Sequence, residues 1–265
     1  MKDTEKNNFS EKNATIYAVV NQKGGVGKTT TAVNLSSYIA ESGKKVLLID
    51  MDSQANATTG AGLQSDRIKK NSYHLLIEPN SIQDVIYPTP FENLHIIPAT
   101  TDLAGAEVEL VSLKEREHRL KQNIAAISNY YDYIIIDCPP SLGLLTINSL
   151  VAANKILIPV QCEYFALEGL AGLVQTIRRI QSHLNPSLTI GGIVLTMFDG
   201  RTGLNRQVLA NTKLHFKELV FDTIVPRNVR LSEAPSHGLP IALYSAHSKG
   251  AYAYRNLAEE VIARG

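Results

Sequence analysis

Cysteine is scarce in this chain: Cys138 and Cys162 are the only two among 265 residues. Two thiols cannot build a disulfide framework, nor by themselves a four-ligand zinc site. No segment approaches the roughly 18 to 20 consecutive apolar residues that a membrane span needs. The polar stretch from Met1 to Ala14 has no apolar run of the kind found in signal peptides. Net charge is almost absent as well, since 26 Lys and Arg against 25 Asp and Glu leave +1. A nucleic-acid-binding role would therefore have to come from a local patch. Internal repeats, low-complexity tracts and long linkers are also missing. These absences lead to the expectation of a soluble, cytoplasmic protein. A hydrophobic content of 44% against 19% charged residues supplies a large core and excludes global disorder.

Apolar runs of strand length alternate with helical stretches along the chain. The runs are Ile16–Val20, Val46–Ile49, Leu94–Ile97, Tyr133–Ile136, Ile156–Val160, Ile190–Leu195 and Phe221–Val225. Helices are expected over Thr29–Ser42, Asp102–Ser128, Leu144–Ala153, Leu167–Leu184, Arg206–Leu219 and Gly250–Ala263. Continuous rather than alternating apolar runs belong to strands covered on both faces, as in a parallel sheet. The expected fold is an α/β, doubly wound, mostly parallel sheet with helices on both faces. Residues 1–14 read as a flexible tail and 15–265 as one domain.

The segment from Asn21 to Thr30, sequence NQKGGVGKTT, lies directly after a strand and directly before a helix. Glycines let several backbone N–H groups converge on phosphate oxygens, and the helix N-terminus adds the positive end of its dipole. Lys28 can reach the β- and γ-phosphates of a nucleotide, and the Thr29 hydroxyl can ligate Mg²⁺. The general G-x-x-x-x-G-K-[ST] pattern wants glycine where this chain has Gln22; in return a second lysine, Lys23, stands at the mouth of the loop. Asp50 and Asp52 follow one strand and Asp137 ends another, the position at which open α/β sheets bind ligands. Any of these aspartates could instead cap a helix.

The loop resembles the deviant Walker A motif K-G-G-x-G-K-[ST] of the family that contains the ParA and MinD ATPases and the nitrogenase iron protein. The segments VLLIDMDSQ at 46–54 and IIIDCPP at 134–140 are similar to two acidic segments of that family. TIVPRNVRLSEAPS at 223–236 is similar to a segment of its chromosomal, Soj-type ParA branch. The resemblance covers nearly all of the chain beyond residue 15. It implies an ATPase that uses ATP and Mg²⁺, with Lys23, Gly24, Gly25, Val26, Gly27, Lys28, Thr29 and Thr30 around the phosphates. Lys28 would act in its own subunit and Lys23 across a homodimer interface. Asp52 would orient the attacking water, Asp137 would hold Mg²⁺ through water beside Thr29, and Pro226 and Asn228 would contact adenine. Asp50 has no clear role and would be hydrogen-bonded within its loop. Without the resemblance Lys23 reads equally as a solvated surface charge.

The window 201–230 holds Arg201, Arg206, Lys213, Lys217, Arg227 and Arg230 against Glu218 and Asp222. On composition this is a solvated helix face. The resemblance implies instead that Arg201 and Arg230, joined by Lys249, bind double-stranded DNA without sequence preference, associate the dimer with the nucleoid and serve partitioning with a ParB-type partner. No helix-turn-helix domain precedes the loop, so binding to a specific operator is not expected. The alternative is a MinD-like, membrane-recruited regulator of division-site position. Against it, Glu259 and Glu260 lie beside the apolar stripe of the last helix (Ala251, Tyr254, Leu257, Ala258, Val261 and Ile262), and anionic lipid would repel them. The stripe is expected to face the core, and no membrane partner is expected. Two cysteines on different strands do not make the pattern for a bridging iron–sulfur cluster, so Cys138 reads as a packing residue.

Overall fold

Successive side chains along a strand point to opposite faces, and here both faces of the sheet are covered. The computed structural model describes residues 13–78, 82–164 and 166–265. Among them the strands are β1 (Thr15–Val19), β2 (Val46–Asp50), β3 (Tyr87–Pro88), β4 (Leu94–Ile97), β5 (Tyr133–Asp137), β6 (Lys155–Gln161), β7 (Thr189–Phe198) and β8 (Val220–Pro226). They lie in the order β3-β4-β2-β5-β1-β6-β7-β8, every pairing parallel except β3 against β4. Ile16, Ala18, Ile134 and Ile136 face one core; Tyr17, Val19, Tyr133 and Ile135 face the other. Two cores explain why the apolar runs are continuous.

The helices are α1 (Lys28–Glu41), α2 (Asn56–Gly60), α3 (Ser72–Ile77), α4 (Leu103–Glu109), α5 (Arg119–Ala125), α6 (Leu144–Ala152), α7 (Ala166–His183), α8 (Gly203–Phe216), α9 (Val229–Glu233), α10 (Ile241–Tyr244) and α11 (Lys249–Ala263). Helices α3 to α8 cover the first face and α1, α2 and α9 to α11 the second. The chain places β5 between β1 and β2 and then continues on the far side of β1. At this reversal the loops following β1, β2 and β5 come together, which makes the natural ligand crevice of the sheet.

The expected long helix over Asp102–Ser128 is broken. Continued past Leu110 and Leu113, its buried stripe would arrive at Arg116 and Glu117, so a single helix would bury charge. The chain instead turns, with Glu115 in the left-handed region at φ 51°. Buried Asn148 of α6 bridges the break: its Oδ1 accepts from Leu120 N at 3.1 Å and its Nδ2 donates to the Arg116 carbonyl at 2.7 Å. Strand β3 and the short helices α2, α3, α9 and α10 were not expected either. Of the proposed tail, residues 1–12 lie outside the described residues. Ala14 belongs to the folded body: it is buried, and its N–H donates to the Ser128 carbonyl at 2.9 Å.

The stripe on α11 faces the core as expected, with Ala251, Tyr254, Leu257, Ala258 and Val261 buried and Ile262 partly so. Glu260 has a structural task beside it. Its carboxylate accepts from the backbone N–H groups of Asp222 at 2.9 Å and Thr223 at 2.7 Å, on the open edge of β8. An unpaired strand edge is a template for pairing with another chain, and this carboxylate blocks it. Glu260→Ala is expected to destabilise the fold by about 1.5–3 kcal/mol, the range for hydrogen bonding to a charged group, and to promote association on heating. Thermal unfolding with light scattering checks this; an unchanged midpoint would mean the edge needs no cover.

Candidate nucleotide-binding site

The loop after β1 is fixed at both ends. Asn21 Nδ2 donates to the Pro159 carbonyl at 2.7 Å, and its Oδ1 accepts from Lys23 N at 3.0 Å. Thr196 Oγ1, from β7, donates to the Val26 carbonyl at 2.8 Å. Between these anchors Gly25 and Gly27 adopt left-handed φ values of 73° and 86°, which glycine reaches without a β-carbon penalty. Gly27 is the N-cap of α1, so the first free N–H groups of a 14-residue helix open onto the loop.

A cavity of about 580 Å³ lies over the loop, lined by Gly24, Gly25, Gly27, Lys28, Thr29 and Thr30, with Asp52 opposite. The Lys28 side chain is buried and its Nζ donates to the Lys23 carbonyl at 3.2 Å. Burial lowers its pKa, and the charge of Asp137 opposes that shift. Asp137 is fully buried, and neither carboxylate oxygen has a hydrogen-bond partner among the described residues. Burial, then the Asp50 charge, raises its pKa well above the usual carboxylate range; the nearby Thr29 hydroxyl and the Lys28 ammonium offset part of that. An orphaned carboxylate beside a threonine hydroxyl fits a hydrated Mg²⁺, a hard cation that keeps several of its waters.

The two aspartates after β2 have different tasks. Asp50 is buried, with Oδ1 accepting from Asp52 N at 3.1 Å and Oδ2 from Thr58 N at 2.8 Å and Thr58 Oγ1 at 2.7 Å. It organises the loop. Asp52 is half-buried, and among the described residues its side chain accepts only from Gln54 N, at 3.0 Å through Oδ1.

A second cavity, of about 450 Å³, holds Pro226 and Asn228 and shares Gly27, Thr30 and Met197 with the first. Asn228 caps α9, its Oδ1 accepting from Arg230 N at 2.9 Å. Its Nδ2 has no hydrogen-bond partner among the described residues.

Lys23 lies apart from this machinery. It does not line the phosphate cavity, and its Nζ is paired with Glu163, both side chains being about half exposed. The basic window is also rearranged relative to the sequence reading. Arg201 forms a two-pronged pair with Asp199, at 2.9 and 2.7 Å, which holds that carboxyl at about 2. Arg230 pairs with Glu233 at 2.8 Å. Arg227 and Lys249 are exposed, with no ion-pair partner among the described residues. Cys138 is buried and burial pushes its thiol up to about 12, the character of a packing residue.

The sequence missed three residues of the site. Glu163 sits in a stretch with no pattern of its own, Glu107 reaches the phosphate cavity from the broken helix, and Met197 occupies the wall between the cavities. Only the tertiary fold places them there.

A family model described as "AAA domain" matches residues 14–190. The sporulation initiation inhibitor protein Soj of Bacillus subtilis (strain 168) is 55% identical over 250 residues, 94% of this chain and 99% of that protein. The chromosome-partitioning ATPase Soj of Treponema pallidum (strain Nichols) is 54% identical over 245 residues, 92% of this chain and 96% of that one. A solved structure of cobyrinic acid a,c-diamide synthase from Mycobacterium smegmatis, with bound ADP and magnesium, has a similar fold. Its TM-score is 0.81 at 36% identity, covering 94% of each chain.

Proposed function

The chain belongs to the Soj/ParA family of chromosome-partitioning ATPases, and we propose that ATP joins two copies of it into a dimer that holds double-stranded DNA without reading its sequence. It is an ATPase that works with ATP and magnesium. Magnesium offsets charge on the phosphate oxygens and orients them. The rest falls to the protein's own side chains. The loop N–H groups and Lys28 hold the triphosphate, Asp137 and Thr29 hold the hydrated cation, and Asp52 aims a water at the terminal phosphorus. Pro226 and Asn228 take the base.

The observation that carries the dimer is the separation of the two lysines. Lys28 lies buried in its own loop, whereas Lys23 does not line its own phosphate cavity and is paired with Glu163 at the surface. Exposed ion pairs contribute only about 0 to 1 kcal/mol, so Lys23 is readily exchanged onto a triphosphate bound by a second copy. A ParB-type partner would then accelerate hydrolysis and release the dimer from nucleoid DNA. Among the described residues no helix is long and apolar enough to cross a membrane. The stripe that a lipid-facing α11 would need is already packed against α1 and β8.

Salt dependence tests the DNA surface. If Arg201 and Arg230 of both subunits each neutralise a phosphate, log K falls against log salt with a slope near about −3.6, at roughly −0.9 per contact. Arg230→Ala should make the slope shallower by about two units, equally for any DNA sequence. Because Asp199 competes with phosphate for Arg201, Asp199→Asn should tighten binding. Fluorescence anisotropy of labelled duplexes with ATP checks both. Unchanged slopes in variants that still dimerise would return this surface to a solvated face.

A further inference from the structure

The ladder between β7 and β8 begins at Ile193↔Val220, and its last interval steps from Leu195↔Ile224 to Phe198↔Pro226, so three steps along β7 match two along β8 there. This is a β-bulge, the device by which strands re-aim side chains beside functional sites. Ile193 and Leu195 face the first core, and in a regular strand Met197 would follow them. Phe198 packs there instead. Met197 takes a left-handed φ of 51°, uncommon for a residue with a β-carbon. Its side chain then enters the wall shared by the phosphate and base cavities. A β-carbon at Gly27 would lie 4.0 Å from Met197 Cε, so the thioether sits over the glycine at the start of α1. Its neighbour Thr196 holds the Val26 carbonyl at 2.8 Å, which ties the bulge to the loop.

We propose that Met197 is a positioning residue for the nucleotide, its thioether packing on the sugar and the adjoining edge of the base between the two cavities. The inference rests on the nucleotide assignment above. Strained backbone persists where the surroundings over-determine it, and it clusters at ligand clamps. A polarizable, unbranched side chain suits an irregular contact of this kind. A thioether offers a phosphate neither a positive charge nor a hydrogen-bond donor, so the contribution of Met197 belongs to the nucleoside.

Calorimetric titration with Mg·ATP and, separately, with inorganic tripolyphosphate and Mg²⁺ tests this on Met197→Gly, Met197→Asn and Met197→Leu. Glycine and asparagine both tolerate the left-handed conformation, so if one variant fails to fold the other carries the test. The expected result is ATP binding about tenfold weaker in the Gly and Asn variants, the scale of one partly buried apolar side chain. Tripolyphosphate binding should be unchanged, and the thermal midpoint without nucleotide should be no lower. Met197→Leu should restore most of the ATP affinity. Unaltered ATP binding in the Gly and Asn variants would overturn the proposal. So would an equal loss for ATP and tripolyphosphate, because Met197 would then only brace the loop. A parent protein that binds tripolyphosphate but not ATP would overturn the nucleotide assignment itself, and this inference with it.

Discussion

Asp52→Ala should bind ATP and dimerise, yet hydrolyse ATP at least about a hundredfold more slowly, the scale for losing a group that positions the attacking water. The reason lies in how its two oxygens are used. Oδ1 accepts from Gln54 N at 3.0 Å, which fixes the side chain, while Oδ2 has no hydrogen-bond partner among the described residues and the residue lines the phosphate cavity. Asp50, two residues earlier, is the control. Both of its oxygens are engaged with Thr58 and Asp52 N, so Asp50→Ala should damage the loop and lower stability together with activity. Single-turnover hydrolysis separates the two, because only Asp52→Ala should keep parental ATP affinity and a parental thermal midpoint. Hydrolysis at the parental rate by Asp52→Ala would remove this residue from the mechanism.

Lys28→Ala should lose ATP binding outright, by at least about a hundredfold in Kd. Removing one partner of a buried charge pair typically costs 2–5 kcal/mol, and each 1.4 kcal/mol is a factor of ten. Lys28 is buried in the loop, and its charge and that of Asp137 each offset the other's burial. Without it the triphosphate would enter a cavity whose remaining charged groups include Asp52 and Glu107. Lys23→Ala should behave differently, keeping ATP binding while losing the ATP-dependent dimer, since its ammonium lies outside its own cavity. Titration with a fluorescent nucleotide distinguishes the two variants. Equal affinity in Lys28→Ala and the parent would contradict the assignment of the loop.

All strands but β3, and the phosphate loop, were legible because their signals are local. Period-two burial on two faces writes itself as unbroken apolar runs, and Gly25 and Gly27 announce their own backbone geometry. What escaped depends on distant residues. The break between α4 and α5 is sealed by Asn148, which lies 28 positions beyond Leu120 in sequence. Glu260 reads as a solvated charge until β8 becomes an open edge beneath it. Arg201 and Arg230 counted as free cations in the sequence, because pairing with Asp199 and Glu233 depends on local turns that composition does not reveal. The bulge at Met197 left no trace at all, since a methionine between Thr196 and Phe198 fits an ordinary strand.

Sedimentation of the Asp52→Ala variant without nucleotide, with ADP and with ATP, each with Mg²⁺ and with or without duplex DNA, tests the central claim most directly. The variant holds ATP without consuming it, so the nucleotide state stays fixed during the run. Two copies joined through Lys23 should appear only with ATP, and only that species should sediment with DNA, while Lys23→Ala in the same background stays monomeric. The same mass in all three nucleotide states, or DNA binding that ignores the nucleotide, would contradict the account.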